Sequence, residues 1–181
     1  MTKRQEKKEQ RRNEILMASL DLFVRKGYGS TRVDDIAKNS NISLGLLFHY
    51  FKTKEELYNE LLKIAFSSIN IDFDTADSPI AIFENILKNI FDMLIHQPRE
   101  GKLFVLLGEA FRSEGIPDES KKFASQVTTI SQSIPVIQKG QQLGEIKQGD
   151  PLSLALVFWD AVQGFSERAA MNPETPLPEI E

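Results

Sequence analysis

His49 and His96 are the only imidazoles in 181 residues, and the chain contains no cysteine. Thiolate nucleophiles, thiolate metal ligands and disulfides are therefore excluded. Asp92 and His96 lie one helical turn apart. That is the spacing of an ordinary surface pair, and a metal site needs more ligands than two. No glycine-rich loop suited to cradling a phosphate is present, and no paired carboxylate cluster shares one face. The sequence thus points away from an enzyme, and no catalytic residue, cofactor or metal is assigned. His49 has more informative neighbours, because residues 41–51 read NISLGLLFHYF. A glycine and a histidine lie among large apolar and aromatic groups. A helix buried in a core does not want His49, and a helix facing water does not want so many apolar side chains. A helix seated in the DNA major groove accommodates both, since one face packs on its own domain and the other meets base edges.

Helical periodicity with glycine and proline punctuation runs through nearly the whole chain, and no stretch alternates at period two. The spacing predicts a first helix over about 9–26, its apolar stripe formed by Ile15, Leu16, Leu20 and Phe23, stopped by Gly27. Thr31 is expected to cap a second helix, with Asp34 completing a capping box and Asn41 taking positive φ in the following turn. Ser43 is expected to cap a third helix ending near Tyr50, and Thr53 with Glu56 a fourth ending near Ile69. On the third helix, Leu47 and Phe51 share the face that can meet Ile36 and Ile15, while Gly45 and His49 lie roughly opposite. Further helices are predicted over about 79–96, 100–113, 117–143 and 151–171, the third of these kinked or split at Pro135. The tail NPETPLPEIE is expected to be extended or poorly ordered. The fold class is all-α, with a helix-turn-helix head over 1–52 and a larger helical body over 53–181.

Charge divides the same way. Residues 1–60 carry 12 Lys and Arg against 9 Asp and Glu, while the remainder carries 10 against 17. A basic first third on an acidic body suggests that only the head approaches a polyanion. Taken alone, a charge run of this kind is equally a solvated helix end.

Residues 11–62 resemble the DNA-binding domain of the TetR family of transcriptional regulators. The matching segments are IL.AS..LF...G at 15–27, T.VDDIA at 31–37, NIS.G.LFHYF at 41–51 and KEEL at 54–57. The resemblance implies DNA contacts at Thr31, Ser43, Leu44, Gly45, Leu46, Phe48, His49, Tyr50 and Lys54. Arg32 and Lys52 join them on charge and placement. The chain departs from the family pattern at Asn41, Leu44, Leu46 and Phe48, each less suited to polar base or phosphate contact than the residue it replaces, Asn41 excepted. With so few polar groups, sequence readout is expected to rest on thymine methyls and on His49. Phosphate contacts are expected from Lys52, Lys54, Tyr50 and the basic N-terminal arm, an arm that could equally be unstructured chain.

For the body, the resemblance implies an effector pocket and a homodimer. Phe66, Ile90, Phe104, Leu107, Phe111 and Trp159 are candidate pocket residues for a small, largely apolar effector, although such a set at helical spacing is also plain core. Small residues at Ala155, Ala161, Gly164, Ala169 and Ala170 permit close helix approach in a dimer. The second interface helix usual in the family is expected to be absent or very short, because only a proline-rich tail follows the last helix. The expected partners are a double-stranded, palindromic DNA operator, the effector and a second copy. No membrane segment or signal peptide is recognised, so the default compartment is the cytoplasm. The leading expectation is a ligand-responsive regulator, most simply a repressor. The alternative is a helical small-molecule-binding or interaction protein with a weakened DNA-binding head.

Overall fold

The computed structural model describes residues 2–113, 115–126, 128–172, 174 and 176–178. Among the described residues the secondary structure is entirely helical: α1 (Lys3–Ser30), α2 (Val33–Asn39), α3 (Leu44–Tyr50), α4 (Lys54–Ser68), α5 (Pro79–His96), α6 (Pro98–Arg112), α7 (Asp118–Ala124), α8 (Thr129–Leu143) and α9 (Pro151–Met171). They form two compact units, one of residues 1–68 with 102–125 and one of residues 69–101 with 126–181. The expected boundary between positions 52 and 53 does not coincide with this division. α4 packs against α1 and α7, which draws it and residues 102–125 into the first unit.

In the first unit, α1 begins six residues before the expected start, because Thr2 and Gln5 form a reciprocal capping box. The regular helix is interrupted at Gly27, where φ is 73° and ψ is 164°, and residues 28–30 form a further turn. A positive φ of this kind is why glycine stands there. Thr31 does not cap α2. Its hydroxyl donates to the carbonyls of Gly27 (2.8 Å) and Leu22 (3.2 Å), and Arg32 occupies the N-cap of α2 without a side-chain capping bond. The chain reversal after Gly27 lays Thr31 over the end of α1, where unpaired carbonyls need donors. Asn41 has φ of 52°, as its place in the turn between α2 and α3 requires. Ser43 accepts from the Leu46 N–H at 3.2 Å and so starts α3. Thr53 accepts from Glu56 N–H at 3.0 Å, while the Glu56 carboxylate reaches one residue further back, to Lys52 N–H, at 2.6 Å.

The predicted core of this unit is present. Ile15, Ile36, Leu47 and Phe51 are fully buried, together with Phe23, Leu57, Tyr58, Leu61 and Leu62. Phe23, Tyr28 and Tyr58 form an aromatic cluster with ring centroids 4.9–5.9 Å apart. Arg12 pins α1 to its neighbours through Glu60 and by lying 4.8 Å from the Phe51 ring centroid.

In the second unit, α8 packs on α9, and α5 packs on both. Phe83, Ile137 and Ala155 form a core cluster closed by Phe73, Ile130, Val136, Ile146, Leu154 and Phe158. Gly140 lets this cluster pack closely, since a Cβ would come 2.6 Å from Ile146 Cδ1 and 3.1 Å from Pro79 Cβ and would force Ile146 to shift. The helix expected over 117–143 is divided between Ala124 and Thr129, not at Pro135, which α8 absorbs in its second turn. α8 and α9 are the last two helices and pack on each other. The tail expectation falls in part on residues 173, 175 and 179–181, which lie outside the described residues.

Candidate nucleic-acid interface

α2, the turn at 40–43 and α3 place the candidate residues. Leu47 and Phe51 anchor α3 with no exposure at all, so the rest of its surface turns outward. Leu44 and Leu46 are each 40% exposed and Phe48 is 38% exposed, high values for large apolar groups. Gly45 stands in the open, with no atom within 4 Å of where a Cβ would be. Backbone can therefore approach a ligand more closely here than at any side chain of the helix. His49 is exposed and Tyr50 half-buried, their rings packed edge to face at 5.6 Å. Arg32, Ser43 and Lys52 are also exposed, and the Lys52 ammonium reaches back to the Phe48 carbonyl at 3.4 Å.

Two candidates are placed differently. Thr31 is buried, with its hydroxyl committed to α1 carbonyls. Lys54 donates to the carbonyls of Tyr28 (2.7 Å) and Thr31 (3.0 Å) and lies 4.1 Å from the Tyr28 ring centroid. Burial lowers its pKa. Both side chains hold the junction between α1 and α2 in place, and neither presents its polar end outward. Thr31 and Lys54 match the family motif by position, but sequence cannot show which way a side chain turns.

A groove of about 550 Å³ opens beside α3, lined by Arg4, Lys7, Lys8, Gln10, Arg11 and Glu14 of α1 and by His49 and Tyr50. On the other side of α1, Glu109 of α6 approaches the Gly27 kink, where a Cβ would lie 3.1 Å from its Oε1. Burial pushes the Glu109 carboxyl above the usual carboxylate range, partly offset by a backbone hydrogen bond from Tyr28 and by Arg112. Lys102 of α6 pairs with Asp21 of α1 at 2.6 Å.

The six candidate pocket residues are not gathered in one unit. Phe66, Phe104, Leu107 and Phe111 belong to the first, and Ile90 and Trp159 to the second. Trp159 is a core residue: its indole N–H donates to Ser133 Oγ at 2.9 Å, and its ring meets Phe158 and Phe73. Ile90, Phe104 and Leu107 are also buried, whereas Phe66 and Phe111 keep open apolar surface. Among the described residues no cluster of potential metal ligands is present. Among the described residues no helix is long and apolar enough to cross a membrane.

The family model of the bacterial regulatory proteins of the tetR family matches residues 15–61, which span the α1 core, α2, α3 and half of α4. The HTH-type transcriptional repressor KstR2 of Mycolicibacterium smegmatis is 31% identical over 173 residues, covering 91% of this chain and 83% of the relative. The chain belongs to the tetR family of bacterial regulatory proteins. Another relative is the negative regulator IcaR of the biofilm operon icaADBC in Staphylococcus aureus, 27% identical over 169 residues, with 87% and 86% of the two chains covered. Among solved structures, AibR in complex with isovaleryl coenzyme A and operator DNA superposes with a TM-score of 0.73 at 18% identity over 92% of this chain and 90% of that one. MbdR from Azoarcus superposes with a TM-score of 0.71 at 24% identity over 89% and 87%. These two likenesses establish the shared all-helical tetR-type fold.

Proposed function

We propose that this tetR-family protein is a transcriptional repressor. Its α3 reads a palindromic operator, two copies act together, and a small, largely apolar effector releases it. The carrying observation is the division of α3: Leu47 and Phe51 are sealed in the core, while Leu44, Gly45, Leu46, Phe48 and His49 stand open. An anchored helix with an exposed apolar face fits a groove whose thymines present methyl groups. Ser43, Tyr50, Arg32 and Lys52 supply contacts to flanking phosphates, which position the helix without carrying sequence information. Thr31 and Lys54 act one step back, by fixing the α1–α2 junction on which α3 depends.

Pairing is supported by α9. Leu152, Leu156, Val157 and Phe165 all keep exposed apolar surface on α9, and a second copy would cover part of it. One α3 reads few bases, and two heads about 34–36 Å apart read two half-sites. Effector binding is supported by Phe66 and Phe111 as open apolar surface and by the structural neighbour AibR, which was solved with isovaleryl coenzyme A bound. By acting on the spacing of the two heads, the effector would shift the population toward a form that cannot span both half-sites.

The deciding experiment is fluorescence anisotropy with duplexes from the gene's own upstream region, carrying thymine or uracil under α3. Specific binding weakened by uracil supports the reading. Affinity indifferent to sequence sinks it. The exposed Leu44, Leu46 and Phe48 also favour a second reading, a helical binding protein whose head has lost base recognition. That reading requires intact small-molecule affinity alongside DNA affinity that is weak and non-specific.

A further inference from the structure

The outer face of α3 can read bases only if its inner face is held still. α3 has seven residues, too few to persist as a helix without tertiary support. Its N-terminal end is set by the Ser43 cap and by the turn at Asn41. Its C-terminal end is set at Phe51, where the chain leaves the helix with φ of −136° and ψ of 122°. Two carboxylates of α4 hold that end. Glu56 accepts from the Lys52 N–H at 2.6 Å. Glu60, one turn further along the same face, pairs with the guanidinium of Arg12 from α1. That guanidinium in turn lies 4.8 Å from the Phe51 ring centroid. The hydrogen bond to Glu60 pushes the Arg12 pKa up, burial opposes it, and the charges of Glu60, Glu9 and Glu56 reinforce it. Arg12 and Glu60 side chains are 26% and 30% exposed, and a pair that open contributes little stability. Its geometry is more telling, because one side chain joins α1, α4 and the end of α3. A planar guanidinium can stack on a ring and pair with a carboxylate at once, whereas the point charge of an ammonium lacks that double geometry.

We propose that Arg12 and Glu60 are positioning residues for sequence recognition: together they fix the exit of α3, and so the angle at which Leu44, Gly45, Leu46 and His49 meet the bases. This rests on the DNA-binding reading above and adds two residues that act without touching a base. A recognition surface must be held to within roughly 0.5 Å by side chains that are themselves locked by partners. Phe51 has no exposed surface, and Arg12 closes on its ring from the side of α1. A shift of Phe51 therefore turns a helix only about two turns long. Arg12 acts on Phe51 by stacking, and Glu60 acts by holding Arg12 in place. This role differs from phosphate contact, for which any cation at position 12 would serve.

The test uses the full chain with R12K, E60Q and the double variant R12K/E60Q. Affinity is measured on the gene's own upstream DNA and on a duplex of arbitrary sequence, and thermal denaturation checks that each variant is folded at the assay temperature. R12K keeps the charge, so affinity for the arbitrary duplex and its salt slope should not change. Its preference for upstream DNA should fall roughly three- to thirtyfold, the range for loss of one cation–π contact. E60Q removes a negative charge, which by electrostatics alone would tighten binding to both duplexes equally. Positioning predicts instead that E60Q also loses preference for upstream DNA. The double variant should match R12K to within about twofold, because Glu60 acts through Arg12. An unchanged preference in R12K, an unchanged preference in E60Q, or additive losses in the double variant would each overturn the proposal. Hydrogen exchange supplies a readout that needs no DNA: amides of residues 44–52 should exchange faster in R12K than in the unaltered protein, with those of α9 unchanged. If the unaltered protein shows no preference for upstream DNA, the repressor reading fails, and the exchange of residues 44–52 alone decides whether Arg12 holds α3. Equal exchange in the two proteins overturns it.

Discussion

At the scale of the residue, the interface depends on which atoms are committed and which are free. Gly45 is exposed near the start of α3, with open space where a Cβ would go. Gly45→Ala should leave thermal stability unchanged or raise it by about 0.5–1 kcal/mol, because alanine is the better helix former. The same methyl should weaken operator binding at least about tenfold, or ~1.4 kcal/mol, by holding the backbone off the DNA. Calorimetry and anisotropy on one preparation check both halves. Lys52 and Lys54 offer the reverse contrast. Lys54→Ala removes two hydrogen bonds and a cation–π contact that hold the Gly27–Thr31 junction, so urea denaturation should show a loss of about 1–3 kcal/mol. Lys52→Ala should stay within about 0.5 kcal/mol in stability and lower the salt slope of DNA binding by about 1. Equal stability losses in the two variants would show that Lys54 is not a structural tie.

At the scale of the element, the C-terminal end of α1 is where α4 and α6 both take hold. Lys54 of α4 binds the Tyr28 carbonyl, and the Tyr28 backbone supports Glu109 of α6. The Glu109 carboxyl is pushed above its ordinary range by burial, so the folded state binds this proton more tightly than the unfolded state does. The sign follows from that. The contribution of Glu109 is most favourable below the ordinary carboxylate pKa and is lost as pH rises through the window up to its raised value. Glu109→Gln keeps an acceptor for the Tyr28 N–H and removes the charge. Denaturation curves between about pH 4 and pH 7 should show that this variant has lost part of the wild-type decline and is more stable at neutral pH. An unchanged pH profile would place the titration elsewhere.

At the scale of the whole molecule, the exposed apolar surface of α9 should decide the oligomeric state. Val157 is 68% exposed, so Val157→Glu should cost the monomer's fold little. Buried in a dimer, the same carboxylate is unpaired and strongly unfavourable. Analytical ultracentrifugation should find the wild type at twice the chain mass and the variant shifted to the monomer. Operator affinity should fall with it, as each head is left with one half-site. An unshifted mass would move the interface off α9.

Much of this protein was legible along the chain. The all-helical class, the break at Gly27, the positive φ of Asn41, the Ser43 cap and the starts at Pro79 and Pro151 follow from local chemistry, which acts within a few residues. The buried pairing of Leu47 with Phe51 follows from helical periodicity for the same reason. Three-dimensional packing decided the rest. It turned Thr31 back onto α1 and Lys54 onto the Tyr28 carbonyl, drew α4 and residues 102–125 into the first unit, and made Trp159 a core residue hydrogen-bonded to Ser133. It divided the 117–143 segment away from Pro135 and laid α8 on α9. It also set the basic residues at the start of α1 beside His49 and Tyr50. Each of these depends on partners distant in sequence, or on the direction a side chain takes, and neither has a signature in residue type and spacing.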